Sequence, residues 1–157
     1  MGRWLSLDVG EKRVGVALCD ETHTLARPLL TLKRASKKED FAGLAALCRE
    51  QQIEKIIVGL PKTLRNEEGP QARRVRRYAA ELQATLNLPI DFWDERFSSV
   101  DAEERLAASS RKVRAKGDID SAAAAIILQE YLNEMNNAQL TMINDQRPAT
   151  NKPTASN

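Results

Sequence analysis

Residues 55–59, Lys-Ile-Ile-Val-Gly, restrict the fold more than any other stretch of this chain. A short segment that is apolar at consecutive positions suits a strand covered on both sides, because successive side chains leave a sheet on opposite faces. Leu60-Pro61 ends it. Both flanks carry helical spacing. Upstream, Phe41, Leu44, Ala45 and Cys48 fall at i, i+3, i+4 and i+7, predicting a helix over residues 38–51. Downstream, Pro70 stands in the favoured first turn of a longer helix, whose stripe is Ala72, Val75, Ala79, Leu82 and Leu86. Pro89 closes that connection, and residues 90–95 read as the next strand. Strands alternating with helices imply parallel pairing under helical cover.

The chain opens differently. Residues 4–9 and 13–19 read as strands joined through Gly10-Glu11-Lys12, a hairpin. A third strand covers residues 25–32, where Pro28 implies an edge position or a break. After the last strand, Ser98-Ser99-Val100-Asp101 reads as a helix start, with the helix running to about Ala108. Residues 109–117 read as a basic loop. Asp118 then caps a last helix carrying Ile119, Ala122, Ala123, Ile126 and Ile127 on one face. The predicted order is βββαβαβαα, an α/β fold with a mixed sheet and helices on both faces. At 157 residues and 42% hydrophobic content, the chain suits one domain with its own core. That domain is expected over residues 1–136, with the polar residues 137–157 as a disordered C-terminal tail.

Several chemistries drop out. No apolar run approaches membrane-spanning length. Met1-Gly2-Arg3-Trp4 enters a strand without a signal-peptide core, so a cytoplasmic location is expected. Cys19 and Cys48 lack metal or disulfide spacing and read as buried reduced thiols. His23 is the sole histidine. A histidine zinc site, a Ser-His-Asp triad and a paired-histidine ribonuclease are therefore unsupported.

Three carboxylates stand in suggestive places. Asp8 lies near the end of the first strand, Glu95 ends the last strand, and Asp120 falls in the first turn of the last helix. Open α/β sheets place ligands at the carboxyl ends of strands, and a helix N-terminus favours negative charge. Hard oxygen donors of this kind suit Mg²⁺ or Mn²⁺. Taken singly, each has a plainer reading: a turn residue, an ion-pair partner of Arg96, a helix-start acid.

The net charge is only +2, but the cations cluster. Arg73, Arg74, Arg76 and Arg77 lie on the helix after Pro70, off its apolar stripe, where they also suit a solvated face. Arg111, Lys112, Arg114 and Lys116 crowd the loop before Asp120 and suit a phosphate clamp. Lys62 and Arg65 extend the same rim. Lys62, Arg65, Arg73, Arg96, Arg111, Lys112, Arg114 and Lys116 are thus the candidate nucleic-acid contacts. Aromatic residues make up 4%, too few for base stacking to dominate.

Four blocks in order carry a family likeness. Leu7-Asp8-Val9-Gly10 with Arg13-Val-Gly-Val-Ala is the first, and Val58-Gly59-Leu60-Pro61-Lys62 with Glu68-Gly69-Pro70 the second. Asp94-Glu95-Arg96-Phe97-Ser98-Ser99 is the third, and Lys116-Gly117-Asp118-Ile119-Asp120-Ser121-Ala122-Ala123 the last. Over about residues 3–134 the chain resembles the YqgF/RuvX family of resolvase-like nucleases. The resemblance implies a ribonuclease-H-like fold whose five-stranded sheet has its first three strands antiparallel. It implies an acidic triad at Asp8, Glu95 and Asp120 that binds Mg²⁺ or Mn²⁺, and a role in maturing the 5′ end of pre-16S ribosomal RNA. The RuvC resolvase uses a fourth acid. Asp118 is the nearest candidate here, two positions from Asp120 and off its helix face.

The leading expectation is a metal-dependent nuclease acting on a ribosomal RNA precursor, as a monomer or weak homodimer. A Holliday junction resolvase acting on branched DNA uses the same chemistry, and a non-catalytic nucleic-acid-binding factor needs only the cations. The spacing Asp8-x-Gly10 with Gly15 also resembles the phosphate loop of actin-like ATPases, but those need two such domains.

Overall fold

The computed structural model describes residues 2–61, 67–94 and 116–145. Strands β1 (Arg3–Val9) and β2 (Arg13–Cys19) form the predicted hairpin, with Leu7 opposite Val16 and Asp8 opposite Gly15. The Gly10 N–H donates to the Arg13 carbonyl at 2.8 Å and closes the turn. Strand β3 (Ala26–Lys33) pairs antiparallel with β2 at the sheet edge, where Pro28 sits opposite Ala17 beside a register shift. An edge strand tolerates the missing proline N–H, so sequence and position agree.

Helix α1 (Lys37–Glu50) starts at Ser36, whose hydroxyl accepts the Glu39 N–H at 3.1 Å. It leads into β4 (Ile53–Leu60), which pairs parallel with β1. Helix α2 (Pro70–Leu86) starts at the expected proline and ends at Asn87, whose left-handed backbone (φ 59°) stops it. Strand β5 (Ile90–Asp94) pairs parallel with β4, giving the sheet order β3-β2-β1-β4-β5. Helix α3 (Lys116–Asp145) is the last described element. The helix expected over residues 98–108 lies outside the described residues.

The sheet separates two apolar layers. On one face Leu5, Leu7, Val16, Ile56 and Val58 pack under α1 and α2, against Phe41, Leu44, Val75 and Leu82. On the other, Ala17, Cys19 and Ile57 pack under α3, against Ala124, Ile127, Leu128 and Tyr131. Ile56, Ile57 and Val58 are all fully buried, so β4 is covered on both sides, as its unbroken apolar run predicts.

Three details of α3 differ from expectation. It begins at Lys116, so Asp118 lies within the first turn rather than capping it. Its buried face includes the expected Ile126 and Ile127 but is otherwise made by Ser121, Ala124, Ala125, Leu128, Tyr131 and Leu132, while Ile119 is exposed and Ala122 and Ala123 are only half-buried. Residues 122–128 are apolar at every position, so periodicity alone leaves the helix free to rotate; the sheet selects the small residues that let it approach closely. The helix also continues past Asn136 to Asp145, exposed over residues 136–139, where polar composition predicts a loose tail. No helix among the described residues is long and apolar enough to cross a membrane.

Both cysteines are free and buried. Burial pushes the Cys48 thiol up to about 11 from its ordinary value of 9.0. The folded chain therefore holds this proton more tightly than the unfolded chain. The stabilisation is complete below about pH 9 and is lost as the pH rises towards 11. Urea midpoints are expected to fall between pH 8.5 and pH 10.5, and Cys48→Ala should flatten part of that slope.

Candidate acidic site

Alternation along β1 decides which residues can meet α3. Leu5, Leu7 and Val9 point into the α1–α2 layer. Ser6 points the other way, and its buried hydroxyl donates to the Ala124 carbonyl at 2.6 Å. Trp4 packs edge-on against Tyr131, 5.8 Å between centroids. Helix α3 thus runs antiparallel to β1, with Trp4 near Tyr131 and Ser6 near Ala124. Asp8, two residues beyond Ser6 on the same face, is level with the turn one step before Ala124, the turn of Asp120.

Gly15 measures how tightly that turn is seated. It is the cross-strand partner of Asp8. A Cβ built on it would lie 2.0 Å from the Asp120 carbonyl oxygen and 2.9 Å from the Ser121 nitrogen. The backbone of α3 occupies the space any side chain at position 15 would need. Asp8 and Asp120, 112 positions apart in sequence by their numbering, therefore both adjoin one glycine.

Arg13, two residues before Gly15 on β2, donates from Nε to Asp120 Oδ2 at 2.7 Å. Both side chains are partly exposed, at 37% and 28%, so this pair lies in a solvent-reached recess bounded by the Gly10–Arg13 turn. The sequence shows Arg13 only as part of a motif; its role against Asp120 appears once the chain is folded.

Of the three expected metal ligands, the structure brings Asp8 and Asp120 to one place. Glu95 lies outside the described residues, which stop one position earlier at Asp94, level with Leu60 of β4. Among the described residues no three Asp, Glu, His or Cys side chains form a metal-binding group. Two carboxylates at the carboxyl end of β1 fit hard cations, which take oxygen donors and keep waters. His23 cannot contribute: it stacks on Trp4 at 4.2 Å, at the other end of β1.

Of the expected nucleic-acid contacts, Arg73 is exposed on α2. Lys62, Arg65, Arg96, Arg111, Lys112 and Arg114 lie outside the described residues, and Lys116 is the first residue of α3. Arg76 has a structural partner instead, donating from Nε and Nη2 to Glu68 at 2.5 and 2.6 Å and lying over the Phe92 ring.

The five-stranded mixed sheet with helices on both faces defines a ribonuclease-H-like α/β protein. The chain superposes on T. thermophilus RuvC bound to a Holliday junction with a TM-score of 0.59, covering 87% of this chain and 97% of that one at 14% identity. The fowlpox virus Holliday junction resolvase gives 0.53, over 85% and 99%, at 11% identity. A family profile described as "RuvX: Holliday junction resolvase" matches residues 2–134. The protein called "putative pre-16S rRNA nuclease" in Thermosynechococcus vestitus is 45% identical over 130 residues, 82% of this chain and 86% of its own. Its namesake in Thermoanaerobacter pseudethanolicus is 41% identical over 137 residues, 86% and 99%. This chain belongs to the RuvX family.

Proposed function

We propose that this chain is a divalent-metal-dependent nuclease that hydrolyses RNA phosphodiesters, acting at the 5′ end of pre-16S ribosomal RNA. One observation carries the reading: α3 docks its first turns over Gly15 and so seats Asp120 beside Asp8 at the carboxyl end of β1. The names of the relatives support the substrate. Asp8, Glu95 and Asp120 would hold Mg²⁺ or Mn²⁺. A bound ion of this kind supplies Lewis acidity towards a phosphate oxygen and makes the attacking water more acidic. In the hydrolysis, the water oxygen bonds to phosphorus, one P–O ester bond breaks, and the leaving oxygen gains a proton.

The chain's own residues do the positioning. Arg13 holds the Asp120 carboxylate against the hairpin. Lys62, Arg65, Arg73, Arg96, Arg111, Lys112, Arg114 and Lys116 would neutralise strand phosphates, giving salt-dependent binding with little sequence preference. The family description favours a second reading, cleavage of four-way DNA. That reaction cuts two strands symmetrically and suits a two-fold dimer.

Purified protein incubated with precursor RNA and with four-way DNA junctions in Mn²⁺ tests both readings. The expected result is EDTA-sensitive RNA cleavage by a monomer or weak homodimer, with the junction left uncut. Symmetrical junction cleavage with intact RNA would replace the first reading by the second. Binding without cleavage of either substrate would leave a non-catalytic factor.

A further inference from the structure

We propose that the cleft between the β1–β2 turn and helices α1 and α2 is a phosphate-binding site, distinct from the Asp8–Asp120 recess. It encloses about 200 Å³ and is reached past Val9 and Gly10, on the opposite face of the sheet from Asp8. Four cations line it, Arg34, Lys37, Arg74 and Arg77, against one acid, Glu11.

The internal pairings of Arg74 and Lys37 leave both able to engage a ligand, while Arg34 is held by the buried Asp40 carboxylate and the Gly10 carbonyl. Arg74 meets Glu11 at 3.4 Å and Lys37 meets Glu81 at 2.5 Å, both between exposed side chains. Such pairs are weak and exchange readily with other anions. Arg77 is exposed and has no ion pair among the described residues. The first turn of α2 holds no acid, and its N-cap Gly69 makes no side-chain cap hydrogen bond. Gln71 of that turn lines the cleft, so the positive end of a long helix lies beside the same space.

Tyr78 supplies the independent observation. It lines the cleft and is 2% exposed, yet its hydroxyl has no hydrogen-bond partner among the described residues. Buried hydroxyls are rarely left so. The Arg34 guanidinium lies over the Tyr78 ring, 4.9 Å from its centroid, and approaches the buried Asp40 carboxylate at 3.6 Å. A phosphate here accepts from the Tyr78 hydroxyl and from the Arg77 guanidinium, answering both the one lining cation without an ion pair among the described residues and the unpaired donor. An apolar ligand would answer neither.

The phosphate can belong to a nucleic-acid strand also engaged at Asp8, a source that rests on the proposed function, or to a free phosphate ester. Binding of a fluorescein-labelled single-stranded RNA is measured in EDTA across KCl concentrations, for wild type, Asp8→Asn, Tyr78→Phe and the double variant Lys37→Gln/Arg77→Gln. For a strand phosphate, the double variant binds roughly tenfold more weakly, and its log–log salt slope falls by about 1.4, near 0.7 for each lost contact on a single strand. Asp8→Asn binds as wild type does. In parallel, thermal unfolding is followed with inorganic phosphate and with AMP at constant ionic strength. Tyr78→Phe alone raises the midpoint of the ligand-free protein and abolishes the upward shift that phosphate gives the wild type.

Unchanged RNA binding with a lost phosphate shift assigns the cleft to free phosphate esters and removes the strand as its source. If neither RNA affinity nor the phosphate shift changes in the variants, the site is refuted. Because nothing is cleaved in EDTA, that failure leaves the nuclease reading standing. Absence of RNA cleavage by the wild type in Mn²⁺ would remove the nuclease reading without touching the cleft.

Discussion

Asp8→Asn is expected to lower RNA cleavage in Mn²⁺ by roughly 10³-fold or more, because it removes a charged ligand from the group that stabilises the transition state. The substitution keeps the size and shape of the side chain. Asp8 sits at the end of β1 and is only partly buried, so the hairpin pairing with Gly15 survives the change. The variant should therefore unfold within about 1 kcal/mol of wild type, as partly exposed substitutions usually do, and should bind RNA in EDTA unchanged. Single-turnover cleavage, a urea titration and an anisotropy titration separate the three quantities. Turnover equal to wild type would eliminate Asp8 as a metal ligand.

Gly15→Ala should damage the protein in a different way. One added methyl would sit 2.0 Å from the Asp120 carbonyl oxygen, a distance at which backbone has to move. Helix α3 must lift from the hairpin, disturbing the Ser6–Ala124 hydrogen bond and the layer around Ala124 and Leu128. The expected loss is about 3 kcal/mol, the upper part of the overpacking range, or roughly 10 °C in midpoint for a domain of this size. Cleavage should fall as well, since Asp120 moves with the helix. Gly43→Ala is the matched control: nothing lies within 4 Å of its Cβ position on α1. There the same methyl should stabilise by roughly 0.5–1 kcal/mol, because glycine costs entropy in a helix interior. If calorimetry gave both variants the same sign, the account of Gly15 as the seat of α3 would be wrong.

These two residues show how unevenly the site was written into the chain. Asp8 is legible as the last polar residue of a strand before a turn, and the four-block resemblance singles it out. Gly15 reads only as a glycine within a strand. Its purpose depends on a helix more than a hundred residues later in the sequence, and no local pattern encodes that. Arg13 is similar: spacing shows a cation after a turn, while the 2.7 Å approach to Asp120 exists only in the folded chain. Arg73 and Arg76 differ by three positions and look alike in sequence, yet Arg76 is pinned by Glu68 and Phe92. Tyr78 falls outside the apolar stripe read for α2 and nonetheless lies at the back of a basic cleft.

From residue order alone came the elements of the described residues, their sequence along the chain and the two-sided cover of β4, because period-two and 3.6-residue patterns record which faces must leave water. The rotation of α3, the meeting of Asp8 with Asp120 and the basic cleft behind Tyr78 were decided by tertiary packing. Those depend on which small residues let two distant backbones touch, and an apolar segment such as residues 122–128 offers the sheet several faces at once.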